Sequence, residues 1–217
     1  MRRFRNRTEA GQQLAKKLSA YANRADLLVL GLPRGGVPVA YEVAVELNVP
    51  LDICLVRKLG APGNKELAMG AIGMGGVMVL NHDVVESLQV SQEAIARVVA
   101  LEEKELERRD RAYRGDRPFP NLQERAIVLV DDGIATGATL RAAIATLKQQ
   151  KPASIIVAVP VAPLSSYNEL KAEVDEVVSL VTPERFYSIS VWYDQFEQTT
   201  DEEVRHLLQE RASAIAS

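Results

Sequence analysis

Apolar runs of strand length that lack any alternation constrain this chain's fold more than any other feature. They cover residues 27–32, 51–56, 126–130, 154–161 and 177–181. Strands that are apolar at every position are buried on both faces, and helical patterns that recur between the runs would cover them. Helices are predicted over 8–22 (behind Thr8 as a cap), 40–47, 140–149 and 165–172. We therefore predict an α/β fold with a doubly wound parallel sheet, in a single domain that covers residues 1–217.

Two segments depart from this alternation of strand and helix. Residues 57–81 are rich in glycine and predict a flexible lid loop that leads into a hairpin, with arms at 68–72 and 77–80. Residues 91–114 predict an inserted charged helix capped by Ser91. Its apolar positions would be Ile95, Val98, Val99, Leu101 and Leu106. The charged second half favours a solvated helix face over a surface for a protein partner.

Composition excludes several classes of function. The 26 Lys and Arg residues against 29 Asp and Glu residues give a net charge of −3, which argues against a nucleic-acid partner. No apolar run is long enough for a membrane span, and no secretory signal follows the basic N-terminus, so we expect a cytoplasmic protein. Cys54 stands alone in an apolar run and predicts a core residue, not a disulfide or a thiolate metal cluster.

The segment 127–139 carries the strongest functional signal. A buried strand ends in Asp131 and Asp132, and small residues then lead into a helix. At a strand end both carboxylates can face the crevice where open α/β sheets bind ligands. The amides of the loop and the helix N-terminus favour an anion. The combination suits a ligand with a phosphate group and nearby hydroxyls, such as a phosphorylated ribose.

Other phosphate motifs do not fit these residues. A Walker A loop needs four residues between its glycines and a lysine after the second, but Gly133 and Gly137 enclose three residues and Ala138 follows. A dinucleotide fingerprint that starts at Gly73 and Gly75 would need a glycine where Met78 stands. A turn that serves only capping and packing would not need two preceding acids.

All 13 positions of 127–139 resemble the phosphoribosyl pyrophosphate (PRPP) motif of the type I phosphoribosyltransferases. The chain as a whole, including 32–36 and 199–203, is similar to a bacterial group known only as predicted phosphoribosyltransferases. The resemblance implies that Asp131 and Asp132 bind the ribose 2′ and 3′ hydroxyls. It also implies that a phosphate loop holds the 5′-phosphate; its residues are Gly133, Ile134, Ala135, Thr136, Gly137, Ala138 and Thr139.

The turn at 33–36 occupies the place of the family's pyrophosphate loop, which often contains a cis peptide. Gly35 and Gly36 would let the backbone approach the anion, and Arg34 offers a fork of donors for phosphate oxygens. For Arg34 the alternative is an ordinary surface arginine beside a turn. The resemblance makes Arg34, Asp131 and Asp132 candidate catalytic residues.

Further basic residues follow the second predicted strand. The resemblance implies that Arg57 and Lys58 end that strand and face the pyrophosphate, and that residues 60–66 form a lid. Lys65 and the candidate catalytic residue Glu66 would then arrive over the reacting centre as the lid closes. A solvated loop charge is an equal alternative for both residues.

The implied reaction is transfer of a 5-phosphoribosyl group from PRPP to a nitrogen of a nucleobase or base-like acceptor. Mg²⁺ would be the cofactor and would be held mainly through PRPP, without a direct protein site. His82 and His206 lie apart in the sequence, and we predict no metal role for either.

Acceptor recognition is predicted in a hood over residues 182–200. Its aromatic residues could stack against a flat base, or they could form a small core beneath the segment. The candidates are Phe186, Tyr187, Trp192 and Tyr193. Thr200 begins a capping box and predicts the start of the last helix.

Two other functions use the same features. The chain could be a non-catalytic regulatory module that binds PRPP or a nucleotide, although such regulators usually add a DNA-binding domain or a basic RNA-binding face. It could also be a hydrolase or phosphorolytic enzyme of phosphorylated ribosides. The resemblance also implies a homo-oligomer, because members of the family are commonly dimers or tetramers.

Overall fold

The computed structural model describes residues 3–216, except for the side chains of Glu66 and Ala216. The chain forms two compact units. The first unit contains the segments up to Cys54, Leu122–Gly137 and from Pro152 onward, and the second contains Leu55–Asn121 and Ala138–Lys151. Each unit has its own sheet.

The first unit is built on a five-stranded parallel sheet in the order β2-β1-β6-β7-β8. Its strands are β1 (Leu27–Gly31), β2 (Leu51–Ile53), β6 (Ala126–Val130), β7 (Ser154–Val161) and β8 (Glu176–Val181). Every residue of β1 and β6 is buried, as their apolar composition predicts. The predicted α/β class and the central parallel sheet are confirmed.

Helices of the first unit pack against this sheet and against each other. They are α1 (Arg7–Lys17), α2 (Gly36–Leu47), α6 (Leu164–Leu170) and α7 (Asp201–Ala216). The helix predicted over 8–22 ends at Lys17 and continues as a short 3-10 turn, Ser19–Tyr21. Asn6, not Thr8, caps α1, because the Asn6 side chain accepts a hydrogen bond from the Glu9 amide at 3.0 Å. Thr200 caps α7 as predicted, since its hydroxyl accepts from the Glu203 amide at 3.1 Å.

The strand predicted over 51–56 is wrong at its C-terminal end. Pairing with β1 stops at Ile53, and the Cys54 amide then donates to the Gly31 carbonyl at 3.0 Å. Val56 already belongs to the sheet of the second unit. Cys54 is buried, which confirms its prediction as a core residue.

The second unit contains a three-stranded antiparallel sheet in the order β3-β4-β5. The strands are β3 (Val56–Ala61), β4 (Asn64–Gly73) and β5 (Met78–Leu80). The loop predicted over 60–66 is therefore wrong in its secondary structure, because β3 and β4 pair almost to the turn at Pro62 and Gly63. Gly63 has a φ of +79°, a value that glycine adopts without strain.

Three helices complete the second unit: α3 (His82–Ser87), α4 (Gln92–Arg114) and α5 (Ala138–Gln149). The sequence did not predict α3, which Asn81 caps by accepting from the Val84 amide at 3.3 Å. Ser91 caps α4 as predicted. Of its predicted apolar positions, Ile95 and Leu106 are buried and Val98 and Val99 are half-buried, whereas Leu101 is 68% exposed.

The charged end of α4 is less solvated than predicted. Tyr113 and Arg114 are buried, and Arg114 pairs with Asp110 one turn earlier. None of the helices described here is both long enough and apolar enough to cross a membrane.

Candidate active site

The predicted phosphate-binding residues of the first unit lie where the strand order reverses. From β1 the sheet continues through β2 in one direction, and from β6 it continues through β7 and β8 in the other. Ligands of open α/β sheets bind outside the carboxyl ends of the strands at such a point. The turn at 33–36, hereafter the glycine turn, follows β1, while Asp131 and Asp132, hereafter the acid pair, follow β6.

Backbone hydrogen bonds hold the glycine turn in place. The Leu32 amide donates to the Val130 carbonyl at 2.9 Å, and the Gly36 amide donates to the Leu32 carbonyl at 3.0 Å. The cis peptide that the resemblance implies for this turn lies at Pro33–Arg34. The turn thereby leads from β1 directly into α2.

Both glycines of the turn lie against the acid pair. A β-carbon at Gly35 would lie 2.1 Å from Oδ2 of Asp132, and one at Gly36 would lie 3.0 Å from Oδ1 of Asp131. Real β-carbons do not approach other atoms as closely as 2.1 Å. The nearby carboxylate therefore leaves no room for a side chain at position 35. Backbone conformation is not the reason for a glycine there, because a φ of −61° suits any residue.

Hydrogen bonds of the acid pair use one oxygen of each carboxylate. Oδ1 of Asp131 accepts from the Asp132 amide at 2.8 Å. Oδ2 of Asp132 accepts from Nε of Arg7 at 2.9 Å and lies 2.8 Å from Nη2 of Arg7 in an ion pair. The Asp132 amide also contributes a hydrogen bond to its own carboxylate. Oδ2 of Asp131 and Oδ1 of Asp132 have no other donor among residues 3–216, so these are the oxygens that a ligand could use.

Burial controls the ionisation of the acid pair. It raises the pKa of Asp131 well above the usual range, and the neighbouring charge of Asp132 raises that pKa further. Burial also raises the pKa of Asp132, while the Arg7 guanidinium acts in the opposite direction. Such carboxylates are costly to keep in a folded protein and are typical of functional sites.

Arg7 is a site residue that sequence reasoning missed. Its only signal is a position in the basic N-terminal stretch, which does not distinguish it from its exposed neighbours Arg3 and Arg5. In the structure the Arg7 side chain is only 13% exposed, and it also donates to the Glu197 carbonyl at 2.7 Å. The packing of α1 against the rest of the first unit brings it to the acid pair.

The predicted phosphate loop continues from the acid pair. Its Ile134 is buried, and the Ile134 amide donates to the Val161 carbonyl at 2.9 Å. That amide is used inside the fold, so 5′-phosphate binding would depend on the other amides of the loop 133–139. Ala135 and Thr136 are exposed, and Gly137 has a φ of +71° immediately before α5 begins.

Arg34 projects from the glycine turn and is about one third exposed. Its Nη1 lies 3.7 Å from Oδ1 of Asp201, the first residue of α7. This contact is long and partly solvated, so it contributes little to stability.

The prediction that Arg57 and Lys58 end the second strand of the parallel sheet is wrong. They lie in the antiparallel sheet of the second unit. Arg57 and Lys58 are in β3, and Nε of Arg57 lies 2.6 Å from Oε2 of Glu102 on α4. Lys65 is exposed at the start of β4. A cavity of about 380 Å³ is lined by residues that include Arg57, Lys58 and Lys65. Glu66 also belongs to β4, and its side chain lies outside the described residues.

The predicted acceptor residues differ in their surroundings. Trp192 and Tyr193 are buried in a cluster with Phe4 and Val161, and Phe186 packs against it partly buried. Phe4 also joins this segment by its backbone, because its amide donates to the Trp192 carbonyl at 2.8 Å. Tyr187 is 86% exposed. An acceptor role for the four aromatic residues stays a prediction.

Neither histidine lies in a cluster of metal ligands. His82 and His206 are exposed, and His206 lies 3.5 Å from Glu210 on the same helix. Among the residues that the structure describes, no group of three or more His, Cys, Asp and Glu side chains could hold a metal ion.

Comparison with known proteins identifies the family. Residues 4–197 match the model of the phosphoribosyl transferase domain. MT0597 of Mycobacterium tuberculosis strain CDC 1551 and Rv0571c of strain H37Rv, both provisionally named phosphoribosyl transferases, are each 45% identical to this chain over 204 residues. Each match covers 94% of this chain and 46% of the relative, so the chain spans about half the length of the curated relatives it matches.

Solved structures share the fold of this chain. The crystal structure of TT1426 from Thermus thermophilus is 44% identical and superimposes with a TM-score of 0.87, covering 97% of this chain and 99% of that one. AQ2163 from Aquifex aeolicus is 14% identical with a TM-score of 0.51 over 84% of this chain and 77% of its own, and it shares the fold alone. The chain thus belongs to the phosphoribosyl transferase domain family, a family of transferase enzymes.

Proposed function

We propose that this protein transfers a 5-phosphoribosyl group from PRPP to a nitrogen of a nucleobase or base-like acceptor and releases pyrophosphate. The observation that carries the proposal is the acid pair at the switch point, packed against the glycine turn, with one oxygen of each carboxylate available. A carboxylate accepts hydrogen bonds, and the 2′ and 3′ hydroxyls of a ribose donate them. Two neighbouring acceptors therefore match the two hydroxyls of one sugar.

The remaining groups of PRPP have candidate partners on either side of the acid pair. The loop that leads into the N-terminus of α5, in which Ala135, Thr136, Ala138 and Thr139 are exposed residues, suits the 5′-phosphate. The glycine turn and the Arg34 guanidinium suit the pyrophosphate, because a guanidinium can bind two phosphate oxygens at once. Charge that develops on the leaving pyrophosphate would then be stabilised by Arg34.

The site fits a magnesium ion that arrives with the substrate. The available groups are carboxylate oxygens, which Mg²⁺ prefers, but the described residues offer no set of three ligands. The ion would be held mainly through PRPP itself. Asp131 and Asp132 would bind the ribose 2′ and 3′ hydroxyls beside it. When bound, it would neutralise charge on the leaving group.

The resemblance assigns further roles to residues of the second unit. Pyrophosphate contacts of Arg57 and Lys58, and a lid that carries Lys65 and Glu66 and excludes water, stay predictions from the sequence. Among the predicted acceptor residues, Tyr187 has the exposure that stacking against a base requires. Cytoplasmic localisation and assembly into a homo-oligomer stay predictions from the sequence.

Pyrophosphate release from PRPP tests this function directly. The intact chain is incubated with PRPP and Mg²⁺ across purines, pyrimidines and small amines, and PRPP binding is measured in parallel by calorimetry. Release that depends on one acceptor is the expected result, and it would be lost in Asp131→Asn but kept in Asp26→Asn, which changes an exposed acid of the same unit. PRPP binding without release would instead support the regulatory module, and absence of binding would overturn both functions.

A further inference from the structure

Three side chains and Asp132 form a closed set of contacts in the first unit. Arg7 donates a hydrogen bond from Nε to Oδ2 of Asp132 and places Nη2 at 2.8 Å from the same oxygen, and its guanidinium lies 4.0 Å from the centre of the Phe196 ring. Phe196 stacks on Tyr193 at 4.8 Å, and the Tyr193 hydroxyl donates to the Asp132 carbonyl oxygen at 2.6 Å. The path therefore begins and ends at Asp132.

This arrangement fixes both the backbone and the side chain of Asp132. Tyr193 holds the carbonyl, and burial raises the pKa of its phenol, so the hydroxyl stays a donor. Arg7 holds the carboxylate, and is itself anchored by the Glu197 carbonyl at 2.7 Å. The side chains of Arg7 and Asp132 are only 13% and 11% exposed, so their contact is largely shielded from water.

We propose that Arg7 is a positioning residue: it binds Oδ2 of Asp132 and thereby keeps Oδ1 directed to a ribose hydroxyl of the ligand. This inference rests on the proposed function, because it assigns Arg7 to the same PRPP site. Arg7 acts only through Asp132 and has no contact with the reacting atoms. Without it, a buried carboxylate would face Asp131 with no cation beside it, and it would rotate or take up a proton.

The geometry excludes two simpler roles. An arginine that served only helix α1 would face solvent, as the exposed Arg3 does in its 3.6 Å contact with Asp194. An arginine that bound phosphate itself would keep its donors available, but Nε and Nη1 of Arg7 already donate to protein oxygens, and Nη2 lies 2.8 Å from Oδ2 of Asp132. Its bonds are directed to the acid that the proposed function needs.

The test compares Arg7→Met with Arg3→Met, the same change in the same N-terminal segment at an exposed ion pair. PRPP affinity of the intact chain is measured by calorimetry with Mg²⁺, and melting temperature reports folding. We expect Arg7→Met to bind PRPP about ten- to a hundredfold more weakly, the range for one or two hydrogen bonds to a charged group, and Arg3→Met to match the unmodified chain. Arg7→Lys keeps the positive charge but loses the forked donors of the guanidinium, so its PRPP affinity should lie between those of the two variants.

Two further readouts separate positioning from a general loss of structure. If Arg7 acts through Asp132, adding Arg7→Met to Asp132→Asn should weaken PRPP binding no further, whereas an independent role would give additive losses. With an active acceptor, Arg7→Lys should raise KM for PRPP and leave kcat nearly unchanged. Equal or tighter PRPP binding by folded Arg7→Met overturns the positioning role alone, whereas failure of the unmodified chain to bind PRPP overturns the proposed function as well.

Discussion

The α-carbon of Gly35 lies so close to the carboxylate of Asp132 that a methyl group on it would stand 2.1 Å from Oδ2. The same oxygen accepts a hydrogen bond from Nε of Arg7 and lies 2.8 Å from Nη2 of Arg7. Substitution at Gly35 therefore acts on the acid pair without any strain in the backbone of the glycine turn.

Gly35→Ala is expected to displace the Asp132 carboxylate, weaken PRPP binding at least about tenfold and lower the free energy of unfolding by about 1–3 kcal/mol. Calorimetry and thermal melting measure the two effects. Gly11→Ala is the matched control, because its β-carbon would also be crowded, at 2.7 Å from Cβ of Glu42 on α2. Gly11→Ala is expected to lose a similar amount of stability and to bind PRPP normally. Equal PRPP affinity in Gly35→Ala and Gly11→Ala would show that Gly35 is not part of the site.

Asp131→Asn should raise thermal stability at neutral pH while it weakens PRPP binding. The pKa of Asp131 is raised in the folded chain, so the folded state holds its proton more tightly than the unfolded state does. Stability of the unmodified chain therefore falls as pH rises above the ordinary value near 3.8. Melting curves of both proteins across pH measure this difference, in which each kcal/mol corresponds to about 2–4 °C at this length. The higher melting temperature of Asp131→Asn should disappear below about pH 4.

Asp132→Asn should melt below Asp131→Asn at neutral pH, although the two changes are chemically identical. It leaves the nearly buried Arg7 guanidinium without its carboxylate, and breaking such a pair from one side is costly. Melting curves of both variants at matched pH provide the measurement. The reverse order would show that the Arg7 contact adds nothing to stability.

Trp192→Ala should lower the free energy of unfolding by about 3–5 kcal/mol, because the ring is buried in the cluster with Phe4 and Tyr193. The unmodified Trp192 should be protected from acrylamide quenching for the same reason. Its emission is then read while the active acceptor is added. A change at saturation would support acceptor stacking, and constant emission would leave Trp192 as a core residue only.

Lys65→Ala should leave the melting temperature unchanged, since an exposed side chain of β4 contributes within about 0.5 kcal/mol. If Lys65 acts in the predicted lid, kcat should nevertheless fall about tenfold or more. Lys104→Ala on α4 is the control for loss of one exposed positive charge. Equal kcat in the two variants would assign Lys65 to the solvated surface.

Local sequence determined the elements whose identity depends on near neighbours. The strands 126–130 and 154–161 have the predicted bounds, because a run of apolar residues buried on both faces has no other stable place in a protein of this kind. Ser91 and Thr200 cap their helices as predicted, since a cap needs only the next three residues. The motif 127–139 likewise carries its own chemistry in consecutive residues.

Tertiary structure alone decided which distant residues meet. Residues 51–56 look like one strand, yet Ile53 and Val56 belong to different sheets, because strand pairing and not composition selects the partner. The lid segment was predicted as a loop from its glycines, but pairing between β3 and β4 overrides that local preference. Arg7 and Asp132 are 125 positions apart in the sequence, and no local pattern predicts their contact. The sequence by itself thus determined the sheet and the acid pair, whereas only the packing of α1 decided which cation holds that pair.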